Sequence, residues 1–515
     1  MSTRWGRTVA LLGALAGGLL LPRTAHAAET FNGYGFYAGD PHVHTGVSGD
    51  GEAADMGAGC SRCGSMSTVF EYATNHDLDW VVFSDHSNDD DGTHISLEAD
   101  FDSFQADILA HDDDADGLVI VPAAEVWFSV GGVFLGHKNL MLFGDDTTLA
   151  PYVMTDAQPA GADMEIGECS AITTWMDGLA ARYGHVLLIP HHPAGMVPAP
   201  TDWSCHSGDY EPAVEVYSHW GNGLGWQRDW ETAEYSQRES TVHSALNPDG
   251  YALHLGFLAG TDGHDTQPGN VCDQDRGGHL AGGLTMIVVD ESEPFNREAI
   301  YQAIVTHSTY ATTGPRVSMT VEYLVDDVVI GTLGQDLEIP AGSPVVVRVT
   351  LPESDALNVL EAVLIAPEQE IPLDYVADGV FEATLDPADM PAWVYAAVNL
   401  QADPYKIRPG CDDGGQDNEW LWASPSWFTQ ADADADGDGY GLAGGDCDDG
   451  DAATNPGASE VWYDGHDQNC DRLDDYDQDG DGYRAIGYGG SDCDDLDSSV
   501  TRPPQGHRVP PDCSP

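Results

Sequence analysis

The chain has very few basic residues. Its 515 residues include 18 Lys and Arg against 87 Asp and Glu, which gives a formal net charge of −69 at pH 7. Such a surface repels the phosphates of nucleic acids and of anionic lipids, so we expect no nucleic acid as a stable partner. The same charge attracts divalent cations, which are therefore the first partners to consider.

Long apolar segments are absent after the N-terminus. Residues 1–27 combine Arg4 and Arg7, the apolar stretch TVALLGALAGGLLL and a small-residue motif at Ala25–Ala27, which is typical of a cleaved export signal. We therefore expect a secreted protein without a transmembrane segment, at an extracellular, cell-surface or periplasmic location. The ten cysteines are an even number and all follow the signal, so disulfides are allowed in that compartment.

Three regions with different compositions follow the signal. Residues 28–315 alternate apolar runs with helix-like stretches and contain most of the histidines. Residues 316–428 read as short alternating strands, including SMTVEYLV, SPVVVRVTL, VLEAVLIA and WVYAAVNLQ, and predict a β-sandwich-like domain. Residues 429–515 contain 22 acidic residues, four arginines and no lysine.

The acidic region repeats itself. DADGDGYGLAGGDCDD (434–449) returns as DQDGDGYRAIGYGGSDCDD (477–495). Alternating carboxylates around glycine turns suit a hard cation that takes oxygen ligands, although the closing Glu of an EF-hand loop is missing. The pattern resembles the thrombospondin type 3 repeats, and residues 446–471 resemble modules of bacterial surface proteins. This resemblance implies irregular calcium-binding repeats, with possible attachment to a surface or matrix; a solvated acidic tail is the alternative. The implied calcium ligands are Asp434, Asp436, Asp438, Asp477, Asp479 and Asp481.

Seven apolar runs in residues 28–315 end in, or contain, potential metal ligands. They are GYGFYAGDPHVH, LDWVVFSDH, GLVIVPAAE, GGVFLGHKNLMLF, HVLLIPHH, AVEVYSH and LGFLAGTDGH. Helix-like stretches such as MSTVFEYATNH and ITTWMDGLAARYG lie between them, which favours βα units and a parallel barrel whose C-terminal strand ends share one mouth. Imidazoles and carboxylates together suit Zn, Mn or Fe, and their number exceeds the needs of one ion. Independent surface residues are the alternative interpretation.

The ordered set of motifs resembles the PHP (polymerase and histidinol phosphatase) superfamily. YATTGPR (310–316) and WASPSWF (422–428) are similar to landmarks of a secreted, uncharacterised branch. The resemblance implies a distorted (β/α)7 barrel and two to three divalent transition metals. The first metal would be held by His42, His44, Glu125 and Asp262. The second would share Glu125 with His137 and with His191 or His192, of which we favour His191. The third would be held by Asp50, His86 and His264, and Asp85 would orient a ligand.

Other candidates have weaker support from the sequence. Lys138, Arg276 and Arg316 are possible substrate clamps, and Glu215 and His219 could lie at the mouth. The remaining histidines have no motif context. The CSRC motif (60–63) favours a disulfide, between its own cysteines or with Cys169, Cys205 or Cys272, over a zinc site. In the acidic region we consider the pairs Cys447–Cys470 and Cys493–Cys513.

Three functions remain open at this point. Because the chain contains neither GxSxG nor a P-loop, clustered metals are the natural source of a nucleophile, and the resemblance implies a metal-dependent phosphoesterase in which Glu125, Asp85 and Asp262 would serve catalysis. A hydrolase of C–N or carboxylic ester bonds on the same metal site is the second possibility. A non-catalytic calcium-binding surface or matrix protein is the third.

Overall fold

A computed structural model describes about two thirds of the chain. The described residues are 29–45, 72–87, 102, 104–106, 108–109, 117–130, 133–149, 164–194, 200–225, 240–264, 267–271, 282–401, 419–430, 436–441, 445–471, 473 and 475–499. The expected signal, the CSRC motif, Asp50, Arg276, Asp434, Cys272 and Cys513 lie outside them.

All seven apolar runs that carry candidate ligands are β-strands. The strands up to residue 315 are β1 (Glu29–Phe31), β2 (Tyr34–Val43), β3 (Trp80–Phe83), β4 (Val119–Val130), β5 (Val133–Leu142), β6 (Met164–Ile166), β7 (Val186–Pro190), β8 (Ala213–Ser218), β9 (Gly221–Asn222), β10 (Gly256–Ala259), β11 (Leu284–Asp290) and β12 (Thr309–Thr312). The named helices are α1 (Asp146–Leu149), α2 (Ser170–Tyr183), α3 (Val242–Leu246), α4 (Arg297–Val305) and α5 (Glu353–Ala356). The helix expected in ITTWMDGLAARYG is thus confirmed as α2.

The described residues form mostly sheet, with few helices. The main sheet has 15 strands, and part of its path runs β12-β11-β2-β3-β4-β5-β7; a separate sheet has the order β10-β8-β9. Strands β2, β3 and β4 are mutually parallel, and so are β8 and β10. Two single parallel bridges add to these pairings: Val43 of β2 with Gly263 after β10, and His86 after β3 with Glu125 of β4.

The expected (β/α)7 barrel is wrong for the described residues, whose strand order is open rather than closed. The reason lies after β4. Strand β5 pairs antiparallel to β4, from Val130 with Val133 onwards, and β7 pairs antiparallel to β5. Two residues separate β4 from β5, which is a hairpin connection and leaves no length for a crossover helix.

The four strands expected after residue 315 are confirmed as β13, β16, β17 and β21. The strands of this part are β13 (Thr320–Val325), β14 (Val328–Thr332), β15 (Asp336–Ile339), β16 (Val345–Thr350), β17 (Val359–Ile365), β18 (Glu370–Pro372), β19 (Asp374–Ala377), β20 (Val380–Leu385), β21 (Trp393–Leu400), β22 (Glu419–Ala423) and β23 (Ser426–Gln430). A sheet ordered β14-β13-β16-β20-β19 packs on β17, β21 and β22 of the main sheet through one apolar core. Because β22 pairs with β12, the main sheet runs continuously across residue 315.

Two disulfides lie in the described residues, Cys169–Cys205 and Cys447–Cys470. The second confirms one pairing considered from the sequence. Both are consistent with folding in an oxidising compartment. Among the helices of the described ranges, none is long and apolar enough to cross a membrane.

Candidate metal centre

The candidate ligands converge because the parallel strands end at one edge. His42 and His44 stand at the end of β2, and backbone hydrogen bonds join them to the segment after β10: His44 N donates to Gly263 O and Asp262 N donates to His42 O, at 2.9 Å each. The bridge between His86 and Glu125 aligns the end of β3 with β4. Side chains that are far apart in the sequence therefore share one buried space.

Four of these side chains form a compact group that we call the inner group: His42, His44, Glu125 and Asp262. Their exposed fractions are 0%, 0%, 2% and 2%. His42 Nε2 lies 3.1 Å from His44 Nε2, 3.5 Å from Glu125 Oε2 and 3.3 Å from Asp262 Oδ1. His44 Nε2 lies 3.1 Å from Glu125 Oε2 and 3.2 Å from Asp262 Oδ1. The four potential ligand atoms thus face a common point.

A second group surrounds the other carboxylate oxygen of Glu125. His137 Nδ1 contacts Glu125 Oε1, and His191 Nε2 lies 3.4 Å from the same oxygen. His137, His191 and His192 offer ring nitrogens within 4.8 Å of one another. The buried Nδ1 atoms of His191 and His192 have no hydrogen-bond partner among the described residues. Both histidines of PHHP therefore reach the centre, although the sequence led us to favour one.

A third group lies on the far side of His44. The His264 ring stacks on the His44 ring with a centroid distance of 4.1 Å. The ring centroids of His86 and His44 are 4.7 Å apart. His44, His86 and His264 place ligand atoms within 4.8 Å, as do His219, Asp262 and His264. His219 was only a weak candidate from the sequence, yet it belongs to this group.

Buried carboxylates support the histidines through contacts with a ring nitrogen or with the neighbouring backbone. Glu215, on β8, places Oε2 3.0 Å from His42 Nδ1, and its side chain is 2% exposed. A carboxylate on the remaining ring nitrogen of a histidine is the usual support of a metal ligand. Asp85 accepts hydrogen bonds from the backbone N and the hydroxyl of Thr45, at 2.7 and 3.0 Å, and so fixes the backbone just after His44.

Asp40 is a buried group that we did not identify from the sequence. It lies on β2 and accepts hydrogen bonds from the backbone N of Thr261 and of Gly269, at 2.9 Å each. Burial raises its pKa to about 6, against the opposing effect of these hydrogen bonds. Asp40 thus fastens the loop after β10 to β2.

The electrostatics of the cluster divide its histidines into two kinds. Burial lowers the pKa of His44, but hydrogen bonds with Asp262 and Glu125 outweigh burial and raise the pKa to about 10. Burial and the charge of His137 lower the pKa of His192 to about 4. Without a cation, the inner group holds protons on imidazole while His192 is neutral. Cation binding at the inner group must therefore release protons.

Two residues of the centre have left-handed backbone conformations. His192 has φ of 33° and Asp262 has φ of 50°. Non-glycine residues adopt such angles rarely, and strain of this kind is concentrated at functional sites. Gly260 is required for a different reason: a Cβ there would lie 2.8 Å from both His42 Cβ and Glu215 Oε2.

Aromatic side chains line the cluster. Trp127 stacks on His137 with a centroid distance of 4.8 Å, and Trp220 lies 6.0 Å from His192 and 4.9 Å from His219. Aromatic residues in apolar runs normally signal a core, so the sequence did not single these two out. Here they pack against histidines of the second and third groups.

Two of the three proposed substrate clamps are described: Lys138 is paired with a buried carboxylate, and Arg316 lies away from the cluster. Lys138 Nζ lies 2.6 Å from Glu211 Oε2, and both side chains are at most 1% exposed. Arg316 is largely buried; burial lowers its pKa, and Asp77 and Asp79 oppose this shift. Because both carboxylates precede β3 in the chain, Arg316 lies toward the opposite end of that strand from His86.

From residue 436 onwards, the described residues of the acidic region form mainly loops and contain no β-strand. Asp436, Asp438, Asp477, Asp479 and Asp481 each accept a hydrogen bond from a backbone N–H a few residues later. The alternating aspartates are therefore ordered by their own loop.

Comparison with known proteins gives one partial match. Residues 446–476 and 492–502 match the family model Cu-binding MopE, described as "Putative metal-binding motif". No match to the PHP family accompanies it. No curated protein matches the chain. A metal-binding role of the acidic region thus has independent support, whereas the histidine cluster stands on its geometry.

Proposed function

We propose that the histidine cluster holds divalent transition metals and that the protein is a metal-dependent hydrolase, a phosphoesterase in the first instance. The spacing of the inner group carries this proposal. Zinc binds His nitrogen at about 2.0–2.1 Å and carboxylate oxygen at about 2.0–2.2 Å, so neighbouring ligand atoms of a tetrahedral site are about 3.3 to 3.6 Å apart. Five measured distances in the inner group run from 3.1 to 3.5 Å.

Glu125 supports a second ion beside the first. Its Oε2 faces the inner group, while its Oε1 faces His137 and His191. One carboxylate with each oxygen turned to a different group of imidazoles is the arrangement of a bridging ligand. His86 and His264 would hold a third ion, for which Asp50 was the remaining candidate.

The residues around the ions would prepare hydrolysis. Ions at such a site lower the pKa of coordinated water from about 15.7 towards 7 and thereby supply a nucleophile at neutral pH. Glu215 keeps His42 oriented with Nε2 towards the inner group. Trp127 and Trp220 limit access of bulk water, which strengthens electrostatic interactions inside the site.

A phosphoester is the first substrate class to test at this site. Clustered cations would neutralise the charge that develops on phosphoryl oxygens, a task that here cannot fall to Lys138, because Glu211 pairs with it. Hydrolysis of a C–N or carboxylic ester bond would use the same ions, and a substrate panel separates the two reactions.

The test combines metal content with activity on the full-length protein. We expect two to three Zn, Mn or Fe ions per chain and chelator-sensitive cleavage of an activated phosphoester. His42→Ala with His44→Ala should lose at least one ion and the activity. His185→Ala with His254→Ala is the matched control, since both side chains are about half exposed and pair with surface carboxylates. Full metal content in the first double variant would refute the site. Cleavage of amides or carboxylic esters instead of phosphoesters would keep the site and change the reaction.

A further inference from the structure

In the aspartates of the second acidic repeat, the two oxygens of each carboxylate differ in their hydrogen bonding. Asp479 Oδ1 accepts from Asp481 N, Asp481 Oδ1 accepts from Tyr483 N, and Asp492 Oδ1 accepts from Asp494 N, at 2.8 to 3.2 Å. The second oxygen of each carboxylate is buried and has no hydrogen-bond partner among the described residues. Each side chain thus uses one oxygen to shape the loop and leaves the other available.

Asp495 completes the pattern from the same DCDD segment. Its Oδ2 accepts hydrogen bonds from the Tyr463 hydroxyl at 2.6 Å and from Gln478 N at 3.2 Å. Its Oδ1 is buried and unpartnered within the described chain. Asp492 and Asp495 are 1% and 8% exposed, which is unusual for carboxylates in a region with few apolar residues.

The backbone explains how Asp492 reaches the DxDGDG loop. Asp492 N donates to Arg484 O at 3.0 Å, Ile486 N donates to Asp492 O at 2.8 Å, and a bridge joins Ala485 with Asp492. These contacts fold residues 484–492 back beside the loop. Burial raises the pKa of Asp492, and the negative charges of Asp481 and Asp495 raise it further, against the opposing effect of the hydrogen bond from Asp494 N. Burying like charges together without a counter-charge is unfavourable, so the arrangement calls for a cation.

We propose that these four oxygen atoms ligate one hard divalent cation of the Ca²⁺ class. The second-repeat site is defined by Asp479 Oδ2, Asp481 Oδ2, Asp492 Oδ2 and Asp495 Oδ1. The closing ligands that an EF-hand takes from its twelfth position come here from the DCDD segment. This differs from the set expected from the sequence, in which only the DxDGDG aspartates were ligands.

The first repeat also has a buried aspartate with one hydrogen-bonded and one unpartnered oxygen. Asp446 aligns with Asp492, is 4% exposed, and accepts from Asp448 N through Oδ1 at 2.9 Å. Its Oδ2 is again buried and without a hydrogen-bond partner in the described residues. The same orphaned oxygen at equivalent positions of two repeats is the second observation that points to a ligand.

The donor set does not fit the copper named by the matched family. Copper prefers nitrogen and sulfur donors, whereas carboxylate oxygens suit Ca²⁺, Mg²⁺ or Mn²⁺. The four atoms of the second-repeat site are all oxygens, and Cys447 and Cys470 are joined in a disulfide. A flexible loop with many carboxylates favours Ca²⁺ over Mg²⁺, which requires a tight octahedron.

The test measures Ca²⁺ binding to the full-length, chelator-treated protein by calorimetry. Wild-type protein should bind one Ca²⁺ per repeat. Asp492→Asn should abolish one equivalent or weaken it at least tenfold, and Asp446→Asn should remove the other. Asp494→Asn is the matched control, because this exposed neighbour contributes only its backbone N–H. Unchanged binding by Asp492→Asn, or stoichiometric displacement of Ca²⁺ by Cu²⁺, would overturn the proposal.

Two further measurements keep the result interpretable. The Cys447–Cys470 disulfide, detected by mass after non-reducing digestion, reports that the region has folded in each variant. Should Asp492→Asn lose it, Asp479→Asn tests the same site at a less buried position. His42→Ala with His44→Ala should leave Ca²⁺ binding intact, so failure of the hydrolase proposal and failure of this one are distinguishable.

Discussion

Replacement of Glu215 should weaken metal binding through His42, the ligand whose ring its carboxylate contacts. Glu215 Oε2 lies 3.0 Å from His42 Nδ1, and His42 is fully buried. Glu215→Ala leaves that ring nitrogen without its partner and frees the imidazole to rotate. Loss of such a supporting carboxylate typically lowers metal affinity 10- to 100-fold, which is about 1.4 to 2.7 kcal/mol.

The graded variant Glu215→Gln refines this expectation. The amide oxygen can still accept from His42 Nδ1, but the negative charge is gone. We therefore expect a loss of affinity between those of wild type and Glu215→Ala. The control is Glu298→Gln, because Glu298 makes the same contact with His185 Nδ1, at 3.1 Å, where both side chains are about half exposed.

The assay is competition for Zn²⁺ against a chromophoric chelator, followed by activity on an activated phosphoester at saturating metal. Activity should largely return when excess Zn²⁺ is supplied, because Glu215 acts through His42. Equal affinity of wild type and Glu215→Ala would refute the supporting role. A loss of affinity as large in Glu298→Gln would show that the effect is general electrostatics rather than orientation.

Three further outcomes follow from local packing and charge. Lys138→Met leaves Glu211 as a buried unpaired charge and should lower the free energy of unfolding in urea by about 3 to 5 kcal/mol, whereas adding Glu211→Leu should restore most of it. Gly260→Ala inserts a methyl against His42 and should lower stability by about 1 to 3 kcal/mol together with metal content. Gly178→Ala, on α2 with open space at its Cβ position, should instead add about 0.5 to 1 kcal/mol. Residues 429–515 of the full chain should be cleaved rapidly by protease in chelator and resist in millimolar Ca²⁺; equal cleavage rates would indicate a solvated tail.

The positions of most candidate ligands could be predicted because the ends of the strands can be recognised in this sequence. Each apolar run marks a buried strand, and the polar residues that close it, such as Asp85 with His86, mark the edge where parallel strands end. The same signal at AVEVYSH pointed to Glu215 and His219, which both reach the cluster. That His191 and His192 both reach the centre could not be predicted from the sequence, because two adjacent residues of a regular strand point to opposite faces and His192 has a left-handed backbone conformation.

The barrel was mispredicted because a hairpin signal was overlooked. Gly131 and Gly132 separate two β-rich runs, and a two-residue glycine connection indicates antiparallel pairing. His137 nevertheless reaches the centre, since on the returning strand β5 it pairs with Trp127 of β4. An apolar run can therefore predict that its ligand reaches the centre even when the direction of the strand is mispredicted.

The acidic repeats were incompletely interpreted for a related reason. The DxDGDG aspartates follow a known local spacing, whereas Asp492 would contribute through a chain reversal of eleven residues after Asp481. Local spacing does not encode such a return. The recurrence of DCDD in both copies was the available signal, and it marks the segment that would supply the additional oxygens under our proposal.

The two metal regions of this chain would be distinguished by donor type rather than by charge. A net charge of −69 concentrates all divalent cations near the surface without selecting among them. The cluster around Glu125 offers mostly imidazole nitrogen, for which Zn²⁺ and its neighbours compete far better than Ca²⁺. The second-repeat site offers only carboxylate oxygen in a loop that can expand its coordination, which suits Ca²⁺. In a calcium-rich medium, each region would therefore take a different metal, and the acidic repeats would not deplete the histidine cluster of the ions that the proposed hydrolysis requires.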